Sequence, residues 1–156
     1  MAFDFKKEYK EFYMPKNKPM IVTVPRANYI AVRGQGDPNE EGGDYQKAIS
    51  VLYAVAYTLK MSYKTNYKIE GFFEYVVPPL EGFWWQDNVE GIDYTDKASF
   101  DEEPATVALM NEYLDKNGYV NDITETRLHH EIYLSDARKV APEKWKTVIR
   151  HPIKKL

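Results

Sequence analysis

Cysteine is absent from the 156 residues, which excludes disulfides, thiolate metal sites and a cysteine nucleophile and fits a reducing compartment. Long apolar runs are also missing. None approaches the roughly 20 residues of a membrane-spanning helix, and Met1 to Lys7 lacks the apolar core of a signal peptide, so a cytoplasmic protein with no membrane partner is expected. Charge of one sign is not in excess. With 21 Lys+Arg against 24 Asp+Glu the net charge is −3, and the closest basic cluster, Arg150 to Lys155, is interrupted by Pro152 and Ile153. No direct nucleic-acid footprint is expected.

Several motifs are missing as well. The loop Gly34 to Gly43 has neither the third glycine of a dinucleotide site nor a Gly-Lys-Ser/Thr, so it is no phosphate cradle, and no cofactor is expected. No Gly-x-Ser-x-Gly occurs. Histidine is limited to His129, His130 and His151. Adjacent histidines on a strand point to opposite faces and cannot both ligate one ion without a bulge, so no metal is expected.

Aromatic residues, in contrast, are abundant: 13 Tyr, 7 Phe and 3 Trp. Their flat apolar faces with polar tips suit cores, interfaces and pockets for planar ligands alike. The periodicity predicts an α+β chain. Residues 3–13 read as a short amphipathic helix closed by Pro15 and Pro19. Met20 to Val24 and Tyr29 to Val32 read as strands. Tyr45, Ile49, Leu52, Ala56, Leu59 and Tyr63 recur at spacings of three and four, with Ala48 and Val55 widening the stripe, and predict a helix over 44–63. Strands follow at 72–77 and 80–86, separated by the stiff corner Pro78-Pro79. Asp101-Glu102-Glu103-Pro104 announces a second helix over 103–117, with Val107, Met110 and Leu114 as its apolar stripe and Gly118 as its C-cap. A strand over 127–134 and a last one over 146–149 complete the order.

The run Arg127-Leu128-His129-His130-Glu131-Ile132-Tyr133-Leu134 is the most informative stretch. As a strand it places Leu128, His130, Ile132 and Leu134 on one face, which reads as core. Arg127, His129, Glu131 and Tyr133 fall on the other. A carboxylate between a histidine and a tyrosine suits the wall of a polar-centred pocket, although a structural pairing of Glu131 with Arg127 stands beside that reading.

Four ordered motifs carry a family resemblance. They are Val32-Arg33-Gly34-Gln35-Gly36-Asp37-Pro38-Asn39, Pro79-Leu80-Glu81-Gly82-Phe83-Trp84-Trp85, Leu128-His129-His130-Glu131-Ile132-Tyr133-Leu134, and Pro142-Glu143-Lys144-Trp145-Lys146-Thr147-Val148-Ile149-Arg150-His151-Pro152. Over nearly the whole chain the sequence resembles the GyrI-like small-molecule-binding proteins, in their stand-alone bacterial branch. The resemblance implies a single domain over 1–156, built of two tandem β-α-β-β (SH2-like) repeats with pseudo-twofold symmetry, at about 19–86 and 101–152, around a ligand cleft. The chain departs from that pattern near Phe100/Asp101. The opening strand of the second repeat has no apolar counterpart in 87–100, so an internal deletion is expected there, with an exposed sheet edge through which a dimer would form.

The resemblance also implies chemistry. Glu131 becomes the cleft carboxylate of a branch that resembles cyclopropanoid hydrolases acting on DNA-alkylating natural products. Partial burial is expected to raise its pKa and make it a better base toward water. Tyr133 or Tyr75 would donate to the carbonyl where negative charge develops. Phe73, Tyr75, Trp84, Trp85 and His129 would line an aromatic small-molecule site. Trp84 and Trp85 face opposite ways, with Trp85 favoured for the cleft, and Tyr75 is equally suited to plain packing. The alternatives are a drug-sequestering or gyrase-inhibitor-like module without turnover, and a truncated scaffold without an intact pocket.

Overall fold

The computed structural model describes residues 2–85, 103–135, 140–141 and 144–156. Strand β1 (Phe3–Asp4) leads into the short helices α1 (Phe5–Glu8) and α2 (Lys10–Tyr13). The long helix α3 (Asp44–Met61) runs into a 3-10 turn at Ser62–Lys64. Strands β2 (Tyr75–Val76) and β3 (Leu80–Trp84), helix α4 (Glu103–Asn117), and strands β4 (Tyr119–Asn121), β5 (His129–Tyr133), β6 (Thr147–Arg150) and β7 (Ile153–Lys155) follow. The result is a mixture of helix and strand, and among the described residues no helix is long and apolar enough to cross a membrane.

The chain forms two compact units, one of residues 1–9 and 23–78, the other of 10–22 and 79–156. In the first, β1 pairs in parallel with β2, Phe3 opposite Tyr75. Phe3, Phe5, Tyr9, Phe73 and Tyr75 gather there with ring centroids 5.0–6.3 Å apart, mostly in the tilted and edge-to-face geometries that the ring quadrupole favours. Helix α3 starts where it should. Gly42, at φ 69°, turns the chain, its N–H donates to Gln46 Oε1 at 3.0 Å, and Asp44 sits at the positive end of the dipole with Lys47 beside it. Tyr45, Ala48, Ile49, Leu52, Ala56 and Leu59 are half-buried as the stripe predicts, whereas Val55 and Tyr63 are exposed.

The second unit holds a three-stranded antiparallel sheet in the order β3-β5-β6. Leu80 pairs with Tyr133, Gly82 with Glu131 and Trp84 with His129. On the other side Glu131 pairs with Ile149 and Tyr133 with Thr147. The central position of β5 explains its burial on both faces, with Ile132 at 0% exposure. Helix α4 buries Leu114 and half-buries Val107 and Met110. Gly118 ends it at φ 73°, the left-handed conformation expected of a C-cap glycine, and its carbonyl accepts from the Leu156 N–H at 3.1 Å.

Several expectations need correction. Residues 20–24 and 29–32 form no strands; their apolar side chains, among them Ile21, Val24, Ile30 and Val32, stand exposed. Strand propensity has no effect without a ladder partner, because extended backbone gains little until its N–H and C=O groups are paired. The 3–13 segment is not one helix: Tyr9, at φ −114°, separates two short ones. The small sheet of β4 and β7, with Tyr119 opposite Lys155, was not anticipated, since three-residue strands carry too little pattern to be read. The expected gap in the second repeat, at 87–100, lies outside the described residues.

Candidate functional site

The β3-β5-β6 ladder sets which side chains share a face, because residues directly opposite project to the same side. Leu80, Gly82 and Trp84 of β3, His129, Glu131 and Tyr133 of β5, and Thr147 and Ile149 of β6 therefore lie together. Glu131 is only 8% exposed and His129 is fully buried. His129 Nε2 lies 2.9 Å from Glu131 Oε1, and His129 Nδ1 lies 2.9 Å from His151 Nε2. Trp84 Nε1 donates to the Tyr133 hydroxyl at 3.0 Å. Tyr133 and Trp84 both also hydrogen-bond the Glu131 carboxylate.

Glycine at position 82 makes this possible. A Cβ there would stand 2.6 Å from Trp84 Nε1 and 3.0 Å from the Tyr133 hydroxyl. Directly opposite Glu131, the missing side chain is the space through which the indole reaches across the sheet.

The electrostatics correct one expectation. Burial does push the Glu131 carboxyl up, but hydrogen bonds from His129 and Tyr133, the charge of protonated His129 and the Trp84 N–H together outweigh it, and its pKa lies below the ordinary 4.5. Glu131 is thus an ionised carboxylate held by donors rather than a carboxyl raised by an apolar pocket. Burial, and then the charge of protonated His129, lower the His151 pKa from 6.5 to about 4, so that ring is neutral at physiological pH. The pairing of Glu131 with Arg127 does not occur. Arg127 is held by Asp122 and donates to the Ile153 carbonyl at 3.3 Å.

On the opposite face of β5, His130 Nε2 lies 2.7 Å from Glu81 Oε2. The Phe83 ring stacks on it at 4.2 Å. Tyr13 of α2 donates to Glu81 Oε1 at 3.2 Å. The core face read as Leu128, His130, Ile132 and Leu134 thus contains a second buried carboxylate–imidazole pair, on Glu81, a residue that strand alternation alone left unremarked. His129 and His130 do point to opposite faces. Among the described residues no group of three or more His, Asp or Glu side chains is arranged to hold a metal ion.

Of the residues singled out from sequence, Glu131, Tyr133, His129 and Trp84 come together. Trp85, favoured over Trp84 for the cleft, lies beyond the end of β3 and is 37% exposed. Phe73 and Tyr75 belong to the other unit, in its aromatic cluster, where burial raises the Tyr75 pKa above 10.0. His151 and Gly82 were missed as site residues. The signal for His151 was available: the β5–β6 register that sets Ile149 opposite Glu131 sets residue 151, two further on, opposite His129, two residues back.

Three solved structures from Listeria innocua are similar over the whole chain. One, of an uncharacterized conserved protein, has a TM-score of 0.85 at 37% identity, covering 98% of this chain and 100% of the other. A second, of a hydrolase, has a TM-score of 0.84 at 37% identity with the same coverage. A third, also of a hydrolase, has a TM-score of 0.83 at 35% identity, covering 99% of this chain and 100% of the other. No protein-family model matches the chain, and no curated protein matches it.

Proposed function

We propose that this chain, which belongs to the family of these Listeria innocua proteins, is a hydrolase like the two so named, and that it acts on planar small molecules with Glu131 as its general base. The observation that carries the reading is the buried Glu131 carboxylate, fixed by His129 at 2.9 Å and by Tyr133 and Trp84. A carboxylate offers about four acceptor positions. His129 and Tyr133 fill two, and the Trp84 N–H is shared with the Tyr133 hydroxyl, which leaves a position for a water molecule; a base held in one orientation spends no entropy finding it.

The finer substrate reading follows from the GyrI-like resemblance, with its tandem repeats and ligand cleft: a cyclopropane conjugated to a dienone. In that reaction a water oxygen attacks the ring carbon while Glu131 takes the water's proton. The strained C–C bond breaks, and its electron pair passes through the dienone to the carbonyl oxygen, which becomes a phenolate and then takes up a proton. The net change is addition of one water. Tyr133, released from its bond once Glu131 is protonated, can then donate to an oxygen on which charge develops. Trp84 supports the base, and its flat face suits a planar ligand.

Incubation with a spirocyclopropyl-dienone and mass spectrometry for the water adduct tests the reading. Glu131→Gln keeps the shape and loses the proton acceptor. Binding should stay within about tenfold of the parent and hydrolysis should fall by about a hundredfold or more. Equal turnover in the two proteins removes Glu131 from the mechanism. Joint loss of binding and turnover makes it a recognition residue and the protein a binder, the sequestering role that the aromatic richness also suits.

A further inference from the structure

We propose that His151 is a positioning residue that holds His129 with its Nε2–H on Glu131 in both charge states of His129, a role that rests on Glu131 being the base. The geometry is a line of three groups. Both ring nitrogens of His129 are engaged at 2.9 Å, one by Glu131 and one by His151. The ring itself is fully buried, so bulk water cannot replace either partner.

Proton bookkeeping gives His151 its part. An ionised carboxylate only accepts. His129 Nε2 therefore carries a proton whether the ring is neutral or charged. When His129 is neutral its Nδ1 is a lone pair, and His151 Nε2–H must donate to it. When His129 is an imidazolium its Nδ1–H must find an acceptor, and His151 Nε2 becomes that acceptor by carrying its own proton on Nδ1 instead. A neutral imidazole can do both, as can a side-chain amide of the same reach. A lysine or an imidazolium at 151 could only donate, and a carboxylate could only accept.

Burial keeps His151 in that neutral form. Among the described residues of the β3-β5-β6 ladder, the titratable groups on this face are His129, Glu131 and Tyr133 on β5; Leu80, Gly82 and Trp84 of β3 and Thr147 and Ile149 of β6 carry no ionisable group there. The position also suits the role. Residue 151 directly follows the last rung of the β5–β6 ladder, His130 opposite Arg150, and its ring meets that of His129 with centroids 5.0 Å apart at 58°. A ligand-orienting histidine steadied through its second nitrogen by an outer partner is the same device that fixes ring orientation at metal sites; here the group oriented is a carboxylate.

The experiment uses three variants of the whole protein. His151→Phe keeps bulk and removes both nitrogens. His151→Gln places an amide, both donor and acceptor, at the reach of Nε2. His151→Asn is polar but too short to reach His129. Each is followed by 15N imidazole NMR of the resting protein across pH, and by pH profiles for hydrolysis of the spirocyclopropyl-dienone. In the Phe and Asn variants the imidazolium of His129 should be disfavoured, lowering its titration midpoint. In the same variants kcat should fall about tenfold with KM little changed, and the acid limb of kcat/KM should move to higher pH as Glu131 loses its charged donor. The Gln variant should restore both. An unmoved His129 titration and an unmoved acid limb in the Phe variant overturn the proposal. So does a Gln variant as impaired as Phe. Glu131→Gln, assayed alongside, separates the two readings: its retained turnover would remove the base, while the His129 titration alone would still decide the part played by His151.

Discussion

At the scale of single residues, one hydrogen atom at position 82 holds the site open. Gly82 faces Glu131 across the β3–β5 ladder, and its missing Cβ is what lets Trp84 Nε1 reach Tyr133. Gly82→Ala should displace the indole. The expected result is a stability loss of about 1–3 kcal/mol, the usual cost of overpacking, with turnover in the proposed reaction falling further than binding because the Trp84 N–H no longer reaches Tyr133 and Glu131. Urea unfolding and turnover, measured together, check this; an alanine variant with parental turnover would show that the indole does not need that space. The sequence offered little warning. A glycine inside a strand signals a close approach, but not which ring approaches. That Glu131, His129 and Tyr133 share a face was legible because alternation over 127–134 needs no partner to be read, whereas the sign of the Glu131 shift depends on donors from β3 and on the charge of a neighbouring ring, which only the fold supplies.

At the scale of elements, legibility followed length. Helices α3 and α4 carry stripes several turns long and a glycine at the end that needs one, and both appear within a residue or two of their expected bounds. Residues 20–24 and 29–32 had the composition of strands and no ladder to join. The segment at 10–13 shows how a short element is held instead. Helix α2 has only four residues, too few for intrinsic stability, yet Tyr13 is buried and donates to Glu81, which also holds His130. Next to it Arg150 donates to the Phe12 carbonyl and lies 3.8 Å from the centroid of the Phe12 ring. Tyr13→Phe keeps the ring and deletes one bond to a buried carboxylate. It should cost about 1.5–3 kcal/mol, with faster amide exchange over residues 10–14 and unchanged turnover. Loss of turnover in that variant would instead tie the Glu81 face to catalysis.

At the scale of the whole molecule, the unevenness between the units becomes measurable. Both buried carboxylate–imidazole pairs belong to the unit of residues 10–22 and 79–156, as do all three tryptophans, Trp84, Trp85 and Trp145. Indole fluorescence therefore reports that unit alone. His151 titrates at about 4 when folded against an ordinary 6.5. Between those values the unfolded chain binds a proton that the folded one refuses, so stability falls as the pH drops through this window, by about 3 kcal/mol for this one ring. Glu131 acts in the same direction further down. Its folded pKa lies below the ordinary carboxylate value, so its contribution is present above about 4.5 and lost as the pH falls through the folded value. Urea unfolding followed by tryptophan fluorescence at a series of pH values should therefore show stability declining from 6.5 to 4. In His151→Gln, which has no proton to take up, the decline should be shallower over that interval. Parallel curves for the two proteins would mean that burial of His151 does not keep it neutral, and the two-way hydrogen bond to His129 would lose its physical basis.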